Sequence, residues 1–481
     1  MIAKNIIDGE YTQGNGGKEV KRFNPANNEM VSQFVESSID DVNQAVDSAR
    51  RSFEKSLWSR DPKLRARTMR AICDVITRHF EELASIQTQE CGKIIRDSKS
   101  ELSVSLDLFD YYSGMTRNVS GRTISPDPNT MSFIMREPLG VVGIIVPWNA
   151  PLLLLARSLA PALAAGNSIV IKPASYTAGT IYEFTNLLIK ELKELPKGIL
   201  NFVMGGGDSV GRYVTRHMDV DMISFTGSTD VGSQVMADAS VNMKRLSLEL
   251  GGKSPNIILD DANFEQAIRG AITASNFGSA GQICFSGTRV LVQDKVYKKF
   301  QETVSQLVPK LKVGNGLSAE TDVGPVISES QMSTVLEYVE QGKKDARVLV
   351  GGKRLSAGEH SKGYFVEPTI FADVPKDSKI AQEEIFGPVI SAMRFESLDE
   401  AAEIANSTKF GLSAAVWTTN LKSALTLARS IKSGVVWINM YGRNFSEAET
   451  GGYKHSGVGR LRGIEGLNSF TQLKDVVVNI S

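Results

Sequence analysis

Four short β-branched runs in the middle of the chain, Val141-Val142-Gly143-Ile144-Ile145-Val146, Ser168-Ile169-Val170-Ile171, Leu200-Asn201-Phe202-Val203 and Met222-Ile223-Ser224-Phe225, are each closed by Gly, Pro or Ser and followed by a helical segment. Continuously apolar runs suit strands covered on both faces, and the intervening helices supply the covers. The pattern predicts an open α/β sheet of parallel strands. Ligands in such sheets bind beyond the strand carboxyl ends. That directs attention to Pro147-Trp148-Asn149, Lys172-Pro173-Ala174-Ser175, Gly205-Gly206-Gly207-Asp208 and Thr226-Gly227-Ser228. A second series of the same style runs from about Leu250 to about Gly451, with strands expected at 256–259, 289–293, 348–350 and 414–417.

The region ahead of the first series differs. Turn signals at Gly14-Asn15-Gly16-Gly17 and Asn24-Pro25-Ala26-Asn27-Asn28 separate short strand-like runs, as in a β-rich lead-in. Ser38-Ile39-Asp40-Asp41 then reads as a helix cap, and amphipathic helices are expected over 64–83 and 102–115. After the Pro126-Asp127-Pro128 break, 130–136 reads as a projecting strand, available for pairing with another subunit. With 481 residues the chain exceeds what one core supports, so two or three domains are expected. A formal net charge of zero with no basic block argues against nucleic acid or an anionic membrane as partner. The N-terminus lacks a signal-like apolar stretch and no run is long enough to span a bilayer, so a cytoplasmic protein is expected. Cys73, Cys91 and Cys284 are odd in number and far apart, against a disulfide framework, and none of the four histidines stands at metal-ligand spacing, so no metal site is expected.

A lone cysteine is ordinarily a small buried hydrophobe. Cys73 and Cys91 fall in helical stretches with no base or anion site nearby and read as structural. Cys284, in Gly281-Gln282-Ile283-Cys284-Phe285-Ser286, needs partners before chemistry can be assigned to it. The strict GxGxxG fingerprint is absent, but Gly207-Asp208-Ser209-Val210-Gly211 and Phe225-Thr226-Gly227-Ser228-Thr229 each follow a strand and open a helix. Their free N–H groups suit a pyrophosphate, or they are simply strand-to-helix turns.

Taken in order, Pro147-Trp148-Asn149, Phe225-Thr226-Gly227-Ser228, Glu249-Leu250-Gly251-Gly252-Lys253, the Gly281–Cys284 stretch, Glu384-Ile385-Phe386-Gly387-Pro388 and Gly452-Tyr453-Lys454 span nearly the whole chain. This succession resembles the aldehyde dehydrogenase superfamily. The resemblance implies two open parallel-sheet α/β domains, a Rossmann-like cofactor domain (1–118 and 139–249) and a catalytic domain (250–455). It adds a small β extension for oligomerisation (119–138 and 470–481) and favours a homodimer or homotetramer. It also implies Cys284 as nucleophile, Asn149 and the Cys284 N–H as oxyanion donors, and Glu249 as the base that activates water against the thioester. Lys172 and Ser175 would meet the adenosine ribose. Gly207, Gly211, Phe225, Gly227 and Ser228 would lie near the pyrophosphate, and Trp148, Glu384 and Phe386 near the nicotinamide riboside. Gly251-Gly252 after Glu249 suits backbone that approaches a ligand closely.

The chain departs from the family's pattern in ways that bear on specificity. Ser175 stands where many NAD-preferring members carry Glu; without that charge and with Lys172 beside it, NADP is expected to be accepted as well as NAD. Leu461 replaces a frequent acidic residue, leaving deacylation to Glu249. Arg157 matches an arginine that meets anionic substrates in semialdehyde and lactaldehyde dehydrogenases, and Arg443 falls at the tunnel mouth; for both, a salt bridge is the competing reading. Ala150 and Asn444 stand where aromatic residues are frequent, while Trp148, Tyr112 and Phe285 are expected as apolar walls. The substrate expected is a small-molecule aldehyde, anionic (semialdehyde-like) or polar. Two other readings are a cysteine hydrolase, using thioester chemistry without hydride transfer, and a catalytically silent scaffold, which would be expected to lack Cys284, Asn149 or Glu249.

Overall fold

The computed structural model describes residues 1–481. Its architecture follows from two apolar sheets, each sandwiched between helices. In the first, five parallel strands lie in the spatial order Leu200–Phe202, Ser168–Pro173, Val141–Val146, Met222–Thr226, Arg245–Glu249. Strand order reverses between Val141–Val146 and Met222–Thr226, and the crevice of such a doubly wound sheet opens at that reversal. The Val141–Val146 and Ser168–Pro173 strands are buried at every position, as their β-branched composition requires. Antiparallel additions close the edges: Asn5–Ile7 with Glu10–Thr12 on one side, Gly457–Val458 on the other.

The second sheet has seven strands in the order Arg347–Val350, Thr369–Ala372, Val389–Phe395, Arg289–Gln293, Pro255–Ile258, Ser413–Trp417, Val435–Ile438. All neighbours are parallel except Arg347–Val350, which runs against Thr369–Ala372 at the edge. A third sheet of three antiparallel strands joins Arg122–Asp127, Thr130–Pro138 and Thr471–Asn479, the last paired from Thr471↔Pro138 to Asn479↔Thr130. Its C-terminal strand is exposed from Gln472 onward, leaving Leu473, Val476, Val477 and Val478 in solvent.

Ser38 caps the helix Ile39–Lys55 with a reciprocal capping box to Asp41, satisfying free N–H groups at the helix start. The single helix expected over 64–83 is instead two, Pro62–Arg78 and Phe80–Cys91, which meet at His79 (φ −104°, ψ 20°). Apolar periodicity continues through the break because both helices pack on the same core, so sequence alone does not reveal it. The helix Pro151–Ala165 is buried at every residue but Leu153. It starts on Pro151 and ends on Gly166 at φ +101°, a left-handed cap that glycine adopts without strain. A charge inside so apolar a helix, Arg157, needs a partner. No helix is long and apolar enough to cross a membrane.

Candidate active site

The carboxyl ends of the first sheet and the Cys284 loop of the second face a chamber of about 280 Å³. Asn149, Glu249 and Cys284 all line it, together with Arg157, Phe285, Trp437, Tyr441 and Arg462. Asn149 stands just ahead of the Pro151–Ala165 helix and is 7 % exposed. Its Nδ2 donates to the Gln282 carbonyl at 2.9 Å, which fixes the amide and leaves its second N–H free. Gln282 is itself held, donating to Ser279 O at 3.0 Å and accepting from Ile327 N–H at 2.9 Å. The loop that carries the thiol is thereby pinned two residues before Cys284.

Two glycines let the two halves meet. A Cβ on Gly252 would lie 2.4 Å from the Cys284 carbonyl oxygen, and one on Gly251 would lie 2.3 Å from Glu384 Oε2. Glu384 accepts the Gly252 N–H at 3.1 Å. Any side chain at either position would displace the Cys284 loop or the Glu384 carboxylate.

Burial pushes the half-buried Cys284 thiol up, to about 12; Arg157 opposes this, and Glu384 and Glu249 add to it. The resting group is therefore a thiol rather than a thiolate. Glu249 ends the Arg245–Glu249 strand and is 4 % exposed. Burial raises its pKa, against Arg157, Arg460 and Arg462. Its Oε2 lies 3.5 Å from Arg157 Nη1, while Oε1 is buried without a partner. Arg157 also donates from Nη2 to Thr226 Oγ1 at 3.1 Å, while its Nε is buried without a partner. It both lines the chamber and forms an internal ion pair.

The proposed nucleotide residues lie along the same strand ends. Lys172 is 3 % exposed, and burial lowers its pKa to about 8, with Glu36 and Asp208 opposing. Ser175 donates its hydroxyl to Gly205 O at 3.1 Å. Gly207 and Gly211 bound one wide helical turn that leads into Arg212–Arg216. Phe225 is buried with its ring under Gly227, where a Cβ would come within 2.5 Å of it. Ser228 caps the next helix, Thr229–Ala239. Trp148 packs edge-on against Phe386 with ring centroids 5.4 Å apart, and Phe386 holds φ +55°, which side-chain-bearing residues rarely adopt. Burial lifts Glu384 to about 7, the Gly252 N–H and Lys253 opposing. A wide glycine-bounded turn, a capped helix start and a buried cation at the carboxyl ends of the first sheet, with the half-buried Glu384 carboxylate held at Gly252, fit a dinucleotide.

Two expected substrate contacts are corrected. Tyr112 is fully buried and donates to Gly463 O at 3.0 Å, so it packs behind the chamber rather than forming its wall. The same helix does line the chamber, at Asp97, Ser100, Glu101 and Val104. Tyr112 lies eight residues beyond Val104, about 12 Å further along the axis, on a suitable face but too far up. Arg443 is exposed and stacks over Phe445, its centre 5.2 Å from the ring centroid. Its neighbours Gly442 and Asn444 line the chamber, and the loop turns Arg443 outward between them. Phe285 is a wall residue, edge-on to Trp437, with its carbonyl accepting from Tyr441 Oη at 2.5 Å. Leu461 is buried in the main core and exchanges backbone hydrogen bonds with Thr450. Sequence reasoning did not single out Arg462, Thr226 or Glu36 as individual site residues. The Leu461-Arg462-Gly463 triplet is a usable signal for the first, a charge between a core residue and a glycine.

Fold and site together define an α/β protein that sets a chamber-lining cysteine at the carboxyl ends of a doubly wound sheet. A family model described as "Aldehyde dehydrogenase family" matches residues 11–476. The chain belongs to the aldehyde dehydrogenase family. It is 40 % identical over 477 residues to a betaine aldehyde dehydrogenase of Bacillus subtilis, covering 98 % of this chain and 97 % of that one. It is likewise 40 % identical over 476 residues to an aldehyde dehydrogenase of Emericella nidulans, covering 98 % and 94 %. Among solved structures, betaine aldehyde dehydrogenase from Staphylococcus aureus in complex with NAD+ superposes with a TM-score of 0.97 at 38 % identity, covering 100 % of this chain and 95 % of that one.

Proposed function

We propose that this enzyme oxidises an aldehyde to the carboxylic acid through a thiohemiacetal and a thioester on Cys284. The observation that carries this is the convergence of Cys284, Asn149 and Glu249 on one chamber. The Cys284 sulfur adds to the carbonyl carbon, and its proton passes to water and out to solvent, which leaves Glu249 ionised for the later step. The carbonyl oxygen becomes an oxyanion, for which the free Asn149 N–H and the Cys284 backbone N–H are the donors, each worth about 3 kcal/mol in comparable sites. When bound, the nicotinamide accepts the hydride that the adduct loses in becoming a thioester. Glu249 then takes a proton from water, whose oxygen attacks the thioester carbonyl and releases the acid and the thiol. The test is a panel of aldehydes with NAD and NADP, followed at the reduced nicotinamide band. Turnover of an ester without any nicotinamide signal would favour the hydrolase reading instead.

On the cofactor, Lys172 with Ser175 supports acceptance of NADP, since no carboxylate at 175 repels a 2′-phosphate. Glu36 works the other way, lying near enough to Lys172 to raise its pKa. Both NAD and NADP are therefore expected to support turnover. Ser175→Glu should lower kcat/KM for NADP relative to NAD by about tenfold, near 1.4 kcal/mol. An unchanged ratio would remove Ser175 from cofactor selection.

Betaine aldehyde, which names the Bacillus subtilis and Staphylococcus aureus relatives, carries a quaternary ammonium. The aromatic walls Phe285, Trp437 and Tyr441 suit such a group, but Arg157 and Arg462 in the same chamber disfavour it. We favour a polar or anionic aldehyde. The exposed apolar strand Thr471–Asn479 supports self-association as a dimer or tetramer. Three free cysteines suit a reducing, cytoplasmic setting.

A further inference from the structure

Arg462 has no partner within the protein. It is 4 % exposed, lines the chamber that holds Cys284, and has its Nη1 buried with nothing to bond. No carboxylate pairs with it, whereas Arg157 is engaged at Nη1 by Glu249 and at Nη2 by Thr226, leaving only its Nε without a partner. The groups that face it are Arg157, the Tyr112 phenol, Asp107 and Glu249. The Asp107 carboxylate is taken up by the Ser446 hydroxyl. Burial, with Arg157 adding to it, lowers the Arg462 pKa to about 10, so it is a cation at neutral pH. A guanidinium taken out of water and left without hydrogen bonds is unfavourable unless a ligand supplies them.

The backbone is built to present this side chain. Arg462 holds φ +63° and ψ 176°, a conformation nearly confined to glycine. Both neighbours are pinned. Leu461 exchanges hydrogen bonds with Thr450 at 2.9 and 2.8 Å, and Gly463 donates to Ser446 O at 2.8 Å while accepting from Tyr112 Oη at 3.0 Å. The turn is thus locked from two separate segments, the 446–450 loop and the helix that carries Tyr112, with the guanidinium lining the chamber.

We propose that Arg462 is the receptor for an oxyanion carried by the substrate, which makes the substrate class a short aldehyde with a carboxylate at its far end. This rests on the aldehyde-oxidising reading of Cys284 and adds the group that selects the substrate. Leu153, Leu154, Ile283 and Val435 supply apolar wall for the methylenes between the two ends. Arg157 adds a second positive charge to the field, with its two terminal nitrogens already engaged by Glu249 and Thr226.

The test compares the ω-carboxyaldehydes of three to five carbons with neutral aldehydes of equal length, using wild-type holoenzyme, Arg462→Met and Arg462→Lys. The wild type is expected to favour at least one carboxyaldehyde by tenfold or more in kcat/KM. In Arg462→Met the ratio of carboxyaldehyde to neutral aldehyde should fall by about 30-fold, through KM rather than kcat, as loss of a charge-assisted contact implies. Arg462→Lys should recover part of it. Calorimetric titration with succinate and glutarate, which does not depend on turnover, should show binding to wild type that Arg462→Met abolishes. The proposal is overturned if the ratio stays within threefold, if a cationic aldehyde is the better substrate, or if the substitution moves the pH profile for both aldehyde types equally, which would make Arg462 a tuner of Glu249. Failure of every aldehyde to reduce the cofactor would sink the dehydrogenase reading, while the dicarboxylate titration would still decide the role of Arg462.

Discussion

Cys284→Ala is expected to remove aldehyde oxidation by at least about 10⁴-fold, because no other cysteine lines the chamber at which Asn149 and Glu249 converge. The fold should survive. The thiol is half-buried and replacing it by a methyl leaves a small gap, about 1 kcal/mol by comparison with core truncations. Nucleotide binding, followed by protein fluorescence, should therefore persist while turnover disappears. The raised thiol pKa gives a second readout on the wild type. With the pKa pushed up to about 12 by burial, thiolate is a minute fraction at pH 7 and grows about tenfold for each unit of pH. Alkylation of Cys284 by iodoacetamide should rise log-linearly from pH 7 to pH 10, where an ordinary cysteine would level off near pH 8.5. A plateau near neutrality would mean that Arg157 outweighs burial, and residual activity above about one percent in Cys284→Ala would exclude it as the nucleophile.

The parallel strands were legible because apolar β-branched runs have few alternatives to a doubly covered sheet, and the strand at Arg289–Gln293 has the bounds that its residues suggest. The Ser38 cap was legible for a local reason, since its hydroxyl and the Asp41 carboxylate satisfy N–H groups three residues apart. What escaped depended on distance along an element or on a single dihedral. Tyr112 is aromatic and near the expected stripe of its helix, but periodicity gives a face and not a height. Arg443 and Arg462 are both arginines in loops near the chamber, and composition does not tell them apart. One is turned out over Phe445; the other is turned in by φ +63°, imposed through Thr450, Ser446 and Tyr112. The expected competition between ion pair and chamber residue at Arg157 also dissolves in three dimensions, since its partner Glu249 lines the same chamber.

Glu249→Gln should uncouple the two halves of the reaction. The amide keeps the shape of the side chain but accepts no proton from water, so hydrolysis of the thioester is expected to slow by roughly 10²–10⁴-fold. The first half needs only adduct formation and hydride loss. Mixing enzyme, aldehyde and cofactor should therefore give a burst of reduced nicotinamide approaching one per active site, then a slow steady state. The substitution also leaves the Arg157 guanidinium buried beside a neutral group, and losing one partner of such a pair can cost about 3–5 kcal/mol of stability. Burst amplitude counts intact sites, so its ratio to the steady rate separates loss of folded protein from loss of deacylation. The pH dependence follows from the direction of the shift. Burial raises the Glu249 pKa above the ordinary carboxylate value, and the base acts only when ionised, so wild-type turnover should fall as pH drops through that raised pKa. The acid limb should vanish from the residual steady state of Glu249→Gln. Near-normal turnover in this variant, or a slow phase with no burst and no covalent acyl-enzyme by mass spectrometry, would take Glu249 out of the deacylation step.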